Sequence, residues 1–497
     1  MPNALYACSL VRVRCAGSAL VAVLWCTVIL TTIVMSSLGA ARLDARLAKN
    51  HGDQVQAYYL ALAGVEKSKA LVYALEQRLK SSGESLSQEL FDNAAEFKEV
   101  RLGRGHFSVR RGALEGEASE RGIVYGLVEE ERFLDLNVAA LEELVKVPGL
   151  DPAFAATIVD WRDADNQPSE GGAEQPNYDA MGLSTQVAND RLLTTQELLR
   201  LVGADSSVLF GEDADCDGLL DPEERDGSMS MPADNGDSVL ETGILAYVSL
   251  EASERDVDPH GEPRLSLGTV TADEMRDVPG ISADLADAIV RFRDVRGLEG
   301  VAALLNVERL VEEQQPQPTP PPNNGEGNPS GTGSPSSGRS VENPPGNPPA
   351  DGAPNPNNNA PTWRGTGEML ISTELFQQIS DYFTTAAGME RPGVVNINTA
   401  SATVLACLPG VSEELAQNIV EHRLGHGNFQ NIAGLLSVSG INAELYAKLS
   451  QRVTARARTY RVISEGLVPS TGARQSLRVV FRIGELDVET LSFREDL

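Results

Sequence analysis

The residues with the clearest chemical spacing are Asp213-Ala-Asp215-Cys-Asp217-Gly218-Leu219-Leu220-Asp221-Pro-Glu-Glu224. Counted from Asp213, carboxylates fall at positions 1, 3, 5, 9 and 12 of a twelve-residue loop, with glycine at 6 for a sharp turn. Leu219 supplies a backbone carbonyl at position 7, and Leu220 an apolar anchor at 8. A hard cation takes about six to eight oxygens, and Glu224 binding through both of its own completes such a set, so the spacing predicts a structural Ca²⁺ site. Charge points the same way: Asp205 to Glu241 holds 12 acidic residues and a single base, Arg225. Such an excess resists compaction unless a cation offsets part of it. The flanks do not read as long helices, so a lone loop is expected rather than a paired domain. Asp234-Asn-Gly-Asp237 is too short to stand by itself. In Asp160-Trp-Arg-Asp-Ala-Asp165, followed by Gly171-Gly-Ala-Glu174, the carboxylates either cap a turn or help hold a cation, and Trp161 reads as a core residue.

Other chemistry has little support. There are five histidines, and only His422 and His426 share a helical face, close to Gly425 and Gly427 that end the helix. No Gly-x-Ser-x-Gly, Walker loop or dinucleotide fingerprint is present, so no catalytic residue and no organic cofactor is assigned. Of five cysteines only Cys216 and Cys407 lie beyond the N-terminal apolar segment, which excludes a disulfide-dense scaffold. The 71 acidic residues against 41 basic ones, a net charge of −30, disfavour nucleic acid, whose affinity comes from neutralising phosphates.

The elements that position these groups are helical and repeated. Val147-Pro-Gly-Leu-Asp151, Val278-Pro-Gly-Ile-Ser282 and Leu408-Pro-Gly-Val-Ser412 each open a helix and align over thirteen residues. Asp135-Leu-Asn-Val and Val395-Asn-Ile-Asn-Thr precede two of them, and the looser Leu265-Ser-Leu-Gly-Thr precedes the middle one. Partner halves follow at Glu197–Gly203 and Leu435–Ile441. These segments resemble the helix-hairpin-helix motif, whose Gly-x-Gly turn often meets phosphate. Here Asp151, Ser282 and Ser412 replace the second glycine and no Lys occupies the turns, which favours packing or partner recognition over DNA. Residues 314–362 hold 14 of the 27 prolines and read as a linker between the second and third repeats.

From Ala16 to Ala41 no residue is charged, long enough for a membrane-spanning helix. Residues 42–80 continue without proline, with Val55, Tyr58, Leu62, Val65, Val72, Leu75 and Leu79 at helical spacing. Arg12-Val-Arg14-Cys-Ala-Gly17 followed abruptly by Ser18-Ala-Leu-Val-Ala22 resembles a prepilin leader cut after glycine. Together with Ala41–Asn50, Ala57–Val65 and the repeats, it resembles the general secretion pathway protein K family. That family characteristically lacks the glutamate that most pilin-like subunits carry at the fifth mature position, here Ala22.

The resemblance implies processing between Gly17 and Ser18 by a prepilin peptidase, methylation of the new terminus, and a single-pass inner-membrane anchor with the rest periplasmic. It also implies a minor pseudopilin at the tip of a type II secretion pseudopilus, non-enzymatic, whose partners are other minor pseudopilins and the inner-membrane platform. The expected fold is α+β: a transmembrane and stalk helix packed on a small antiparallel sheet, with a large, mostly α-helical insertion. His106–Arg110 with Ile123–Val128, and Thr459–Ser464 with Gln475–Ile483, supply the strands. The expected divisions are 1–17 leader, 18–41 membrane helix, 42–80 stalk, 81–130 strands, 131–313 insertion with two repeats and the calcium loop, 314–362 linker, 363–455 third repeat and 456–497 final strands. The alternative from another class is a membrane-anchored DNA-binding protein of competence type.

Overall fold

A computed structural model describes residues 16–82, 90–113, 122–313, 362–386, 388–484 and 487–495. The linker up to Pro361 and the basic leader before Ala16 lie outside them. The chain divides into two compact units: residues 1–263 with 386–497, and residues 264–385.

The larger unit is built on one helix, Ala16–Ser82. Its N-terminal part is uncharged, largely apolar and exposed, Leu20 at 74% and Trp25 at 62%, and includes a window of mean hydropathy 2.3, long and apolar enough to cross a membrane. Farther along, Ala57, Ala61, Val65, Val72 and Leu75 turn inward onto a sheet. Val55, placed on the inward face by its spacing, is 43% exposed. The helix approaches the sheet so closely that two glycines are required. A Cβ on Gly64 would meet Ser464 Oγ at 2.1 Å, and one on Gly466 would meet the Ala57 carbonyl at 2.0 Å.

The sheet runs Val100–Leu102, Gly105–Val109, Thr459–Val468, Ala473–Ile483, Val488–Glu495, with Val128–Glu129 added beside Thr459–Val468; neighbouring strands are antiparallel. The first sequence-predicted hairpin is corrected: Gly105–Val109 pairs with the strands on either side of it, and only Arg111–Gly112 pairs with Ile123–Val124. The last strand was not anticipated, because its exposed alternation at the sheet edge gives a weak hydrophobic signal. An α+β fold, with a long helix on a small antiparallel sheet and a helix-rich insertion between its strands, is the architecture.

The insertion leaves and re-enters through neighbouring residues. Glu129 lies opposite Tyr460 and Val128 opposite Arg461. The intervening Glu130-Glu131-Arg132 turn is buried throughout. Glu130 takes both arms of the Arg461 guanidinium, at 2.6 and 2.9 Å, and the Ser249 hydroxyl at 2.5 Å. Burial works to raise the Glu130 pKa, but Arg461 outweighs it and holds the carboxyl below its usual range. Glu129 accepts from Thr399 Oγ1 at 2.6 Å and Asn396 Nδ2 at 2.9 Å, and Glu131 from the backbone amides of Arg458 and Thr459.

Each repeat is closed by a two-residue parallel bridge: Leu134–Asp135 with Val248–Ser249, Leu265–Ser266 with Phe383–Thr384, and Val395–Asn396 with Val453–Thr454. The middle bridge corrects the reading of the linker. Residues 363–385 belong with 264–313, so the third repeat does not begin at residue 363 and the linker does not separate two repeats. Glu308–Glu312 and Trp363–Met369 form an antiparallel pair, and the Glu313 amide donates to the Thr362 carbonyl at 2.7 Å. The proline-rich segment is therefore inserted at the end of a hairpin within the second repeat. Its missing partner half is Thr373–Ile379, capped by Ser372 as Asn442 caps Ala443–Leu449 in the third repeat. Reading along the chain could not join segments so far apart.

Removing one partner of a buried ion pair leaves the other uncompensated, at a typical cost of about 3–5 kcal/mol. Glu130→Ala is expected to destabilise the larger unit on that scale in thermal or denaturant unfolding, with Glu130→Gln intermediate. Because the Glu130 pKa is depressed by folding, its contribution is present above the unfolded carboxyl value and is lost as pH falls through the folded one.

Candidate metal centres

The sequence-predicted calcium loop folds into a tight coil around its own carboxylates. Asp213 Oδ1 accepts from the Asp217 amide at 3.1 Å and Oδ2 from Gly218 at 3.1 Å, while Asp215 Oδ1 also accepts from Asp217 at 3.0 Å. Glu224 reaches back across the loop, taking the amides of Ala214 at 2.8 Å and Asp221 at 3.1 Å. Cys216 and Gly218 both take positive φ, 55° and 74°, which lets the backbone wind this tightly.

The structure brings five of the six residues assigned from sequence into two overlapping carboxylate groups. Asp213, Asp215 and Glu224 place ligand oxygens within 4.8 Å of one another, and so do Asp215, Asp217 and Asp221. The sixth, Leu219, donates its amide to Asp217 Oδ1 at 2.6 Å and is buried, 8% exposed. The crowding has an electrostatic signature. Burial, then the charges of Asp215 and Glu224, push Asp213 up to about 7. Burial and Asp215 push Asp217 up to about 8, and burial raises Asp215 and Glu224. Carboxyl groups that resist ionisation when crowded are those a divalent cation would favour in the charged form.

This loop is fastened to the sheet. The Gly112 amide donates to the Asp217 carbonyl at 2.7 Å, and Arg478 Nη1 to the Asp215 carbonyl at 3.3 Å. A Cβ on Gly112 would lie 2.0 Å from the Gly218 carbonyl. Nothing in the sequence marked Gly112 or Arg478 as neighbours of the loop.

A second group gathers Asp160, Asp163 and Glu174, again within 4.8 Å. Asp160 accepts the Ser169 amide, at 3.1 and 3.2 Å to its two oxygens. Both Glu174 side-chain oxygens are buried without a hydrogen-bond partner. Burial, then Asp163 and Asp160, raise the Glu174 carboxyl to about 7. Turn capping accounts for Asp160 but leaves Glu174 unexplained. Trp161 is a core residue, 1% exposed.

In the shorter acidic segment, Asp234 and Asp237 accept the amides of Gly236 and Val239, at 2.7 Å each, as local turns. His422 and His426 stack with ring centroids 4.5 Å apart, and His426 Nδ1 lies 3.1 Å from the His422 carbonyl. Among the described residues no metal-binding group includes them.

The Pro-Gly turns are glycine-dependent, with positive φ at Gly149, Gly280 and Gly410. The residue replacing the second glycine caps the following helix with its own side chain: Asp151 accepts from Ala153 and Phe154, Ser282 from Leu285, and Ser412 from Leu415. One arginine recurs at the same place in each repeat, three residues beyond the thirteen aligned ones. Arg162 donates to the carbonyls of Leu136 and Ala139, Arg293 to Leu267 and Val270, and Arg423 to Ile397 and Ala400. These arginines bind the repeat to itself.

Residues 392–454 match the helix-hairpin-helix motif family. Curated relatives match in parts. Endonuclease/exonuclease/phosphatase family domain-containing protein 1 of Bos taurus is 26% identical over 198 residues, 39% of this chain and 28% of that protein. The chain thus spans under a third of that relative's length. An uncharacterized protein of Haemophilus influenzae is 39% identical over 93 residues, 18% of this chain and 73% of that protein. Among solved structures, a chain of the GspK-GspI-GspJ complex from enterotoxigenic Escherichia coli aligns over 90% of this chain and 99% of its own, with 10% identity and a TM-score of 0.40. Residues 125–209 match the first domain of type II secretion system protein K. That domain begins at the buried junction and carries the first repeat, and in it the chain is similar to the type II secretion system protein K family.

Proposed function

We propose that the protein is a minor pseudopilin seated at the tip of a type II secretion pseudopilus, a non-enzymatic part of the export machinery. The observation that carries this reading is the protein K domain set within a pilin-like helix-on-sheet body, behind an exposed apolar helix of membrane-spanning length. The helix supports a single-pass inner-membrane anchor with the remainder periplasmic. Other minor pseudopilins and the inner-membrane platform are its proposed partners. Ala22 supports the tip position: a subunit with none above it has no neighbouring N-terminal amine for a glutamate to neutralise within lipid.

Two cation sites belong to the same proposal. Asp213, Asp215, Asp217, Asp221 and Glu224, with the Leu219 carbonyl, form the Ca²⁺ loop. Asp160, Asp163 and Glu174 hold a second divalent cation, which supplies the partner that the buried Glu174 oxygens lack. Both are structural, bracing the insertion rather than activating a substrate.

Thermal unfolding of the full chain in detergent tests the loop. Single extracellular-type sites bind at about 10⁻⁴–10⁻³ M, and Ca²⁺ at about 100 times the dissociation constant adds roughly 2.7 kcal/mol. Glu224→Ala should remove most of the shift, and equal midpoints in calcium and chelator would refute the site. In chelator the pH dependence has a set sign. Asp213 and Asp217 titrate near 7 and 8 when folded, so the folded chain binds more protons than the unfolded one above pH ~4. Stability should fall as pH rises from about 5 to 8, and saturating Ca²⁺ should remove the part of that fall due to Asp213 and Asp217, leaving the part from carboxyls outside the loop such as Asp135.

Gly17 and Ser18 lie in the first turn of the long helix. N-terminal sequencing of the protein from its host is expected to begin at Ser18, and Gly17→Leu should leave the leader attached. A terminus at Met1 or near Ala40 would overturn the pilin reading.

The helix-hairpin-helix match favours the DNA-binding alternative, whereas the self-capped turns and the charge of −30 oppose it. Duplex DNA should not be retarded at about 50 mM salt, where phosphate contacts are strong. A salt-sensitive shift would put the alternative first.

A further inference from the structure

The strand Val488–Glu495 forms one edge of the main sheet, and among the described residues it pairs only with Ala473–Ile483. The backbone donors and acceptors along its outer side make a row that a further strand can continue. The opposite edge, Val100–Leu102, has three residues, whereas this one has eight. Edges are commonly guarded by shortness, lysine or proline, and Val488–Glu495 has none of these. One irregularity, where the register skips Leu491, divides it into two regular runs. Directly paired residues share a face of a sheet. Thr490 and Phe493, opposite the core residues Phe481 and Val479, therefore lie on the face that packs on the long helix, and Glu489 and Arg494, opposite Arg482 and Arg478, lie on the other. Phe493 is nonetheless 42% exposed. On the second face, Gln196 takes both arms of the Arg494 guanidinium, which sets the short turn Thr195–Arg200, with Leu199 47% exposed, against the strand. An open backbone edge flanked by exposed apolar groups is the form of a strand-addition site, where main-chain bonds give affinity and alternate side chains give selectivity.

Charge selects the occupant. The bases around this edge are already engaged: Arg494 by Gln196, Arg482 by Glu251 and Glu390 at 3.5 and 3.9 Å, and Lys69 by Glu66 and Thr490 at 3.1 and 3.0 Å. Asp487, Glu489 and Glu495 are exposed, so the rim of the edge is acidic. A second copy of a chain with a net charge of −30 would be repelled from it. We infer that this edge takes an extended segment of another protein as an added strand, with apolar residues on the side of Phe493 and Lys or Arg on the side of Glu489. The long stems of such basic side chains can cover Leu199 while their charged ends reach the acids.

The test uses the full chain in detergent and two fluorescently labelled peptides, Lys-Val-Lys-Val-Lys-Val-Thr and its counterpart with Glu in place of Lys, read by polarisation. The lysine peptide should bind at least 10-fold more tightly than the glutamate one. Glu489→Lys should weaken the lysine peptide at least 10-fold, and adding Glu495→Lys should reverse the preference. Both positions are exposed, so the thermal midpoint should hold; if the double variant shifts it, Glu489→Lys alone carries the comparison. Hydrogen exchange separates strand addition from loose attraction between charges: with the lysine peptide bound, amides within 488–495 should exchange at least 10-fold more slowly. Absence of binding, equal binding of the two peptides, or binding that leaves this exchange unchanged overturns the proposal. Dimers of the unaltered chain that the lysine peptide dissociates overturn the basic-strand occupant and assign the edge to a second copy.

Discussion

The architecture depends on a chain-crossing constraint. An insertion running from Glu130 to Thr459 must leave and re-enter a small sheet without splitting it. It does so between paired residues, with Glu129 opposite Tyr460 and Val128 opposite Arg461. Closing so long a segment adds little entropy beyond a short one, since each doubling costs only about 0.6 kcal/mol. Orientation is the harder demand, and the buried Glu129-Glu130-Glu131-Arg132 turn meets it. Three successive carboxylates are directed to three places: Glu129 to the third repeat, Glu130 to Arg461 and Ser249, and Glu131 to the backbone where the chain returns. Burial and the neighbouring Glu129 push the Glu131 carboxyl well up, so this residue acts more as a hydrogen-bonding group than as a charge.

Around that junction the repeats behave as self-closing blocks. Each has a parallel bridge at its base and an arginine reaching back from its longer helix to the opening loop. The first and third blocks also touch. Lys146 donates to the Ala406 and Leu408 carbonyls, at 3.1 Å each, and Arg452 pairs with Glu143 at 2.9 Å. Glu143 at the same time caps the Ala140 amide, so one carboxylate serves a helix start and a contact between repeats. Self-closure explains how the second block accommodates a long proline-rich segment: the interruption falls at a hairpin end, outside the bridge and the core.

The acidic loop is continuous with this framework. Its carbonyls are held by Gly112 and Arg478 of the sheet region, so whatever sets the loop's conformation bears on the seating of the insertion. Arg478 is itself buried, and desolvation and Arg461 lower its pKa, which places the loop and the Glu130–Arg461 pair in one electrostatic neighbourhood.

The sequence by itself determined whatever rests on local pattern. The apolar run sets the long helix, the Pro-Gly turns set three helix starts, and the spacing from Asp213 to Glu224 folds its carboxylates together because a twelve-residue loop with glycine at its centre has few other ways to satisfy its amides. Tertiary structure decided what depends on residues distant in the chain. Strand partners were misassigned near His106 because pairing follows the return of Thr459–Val468, which no local pattern announces. The second repeat is only half legible along the chain because its other half lies beyond the proline-rich residues 314–361, and the Leu265–Phe383 bridge reunites the halves. Glu174 looked like any surface acid until packing removed its water and left both oxygens without partners. Burial, unlike periodicity, is a property of the assembled chain.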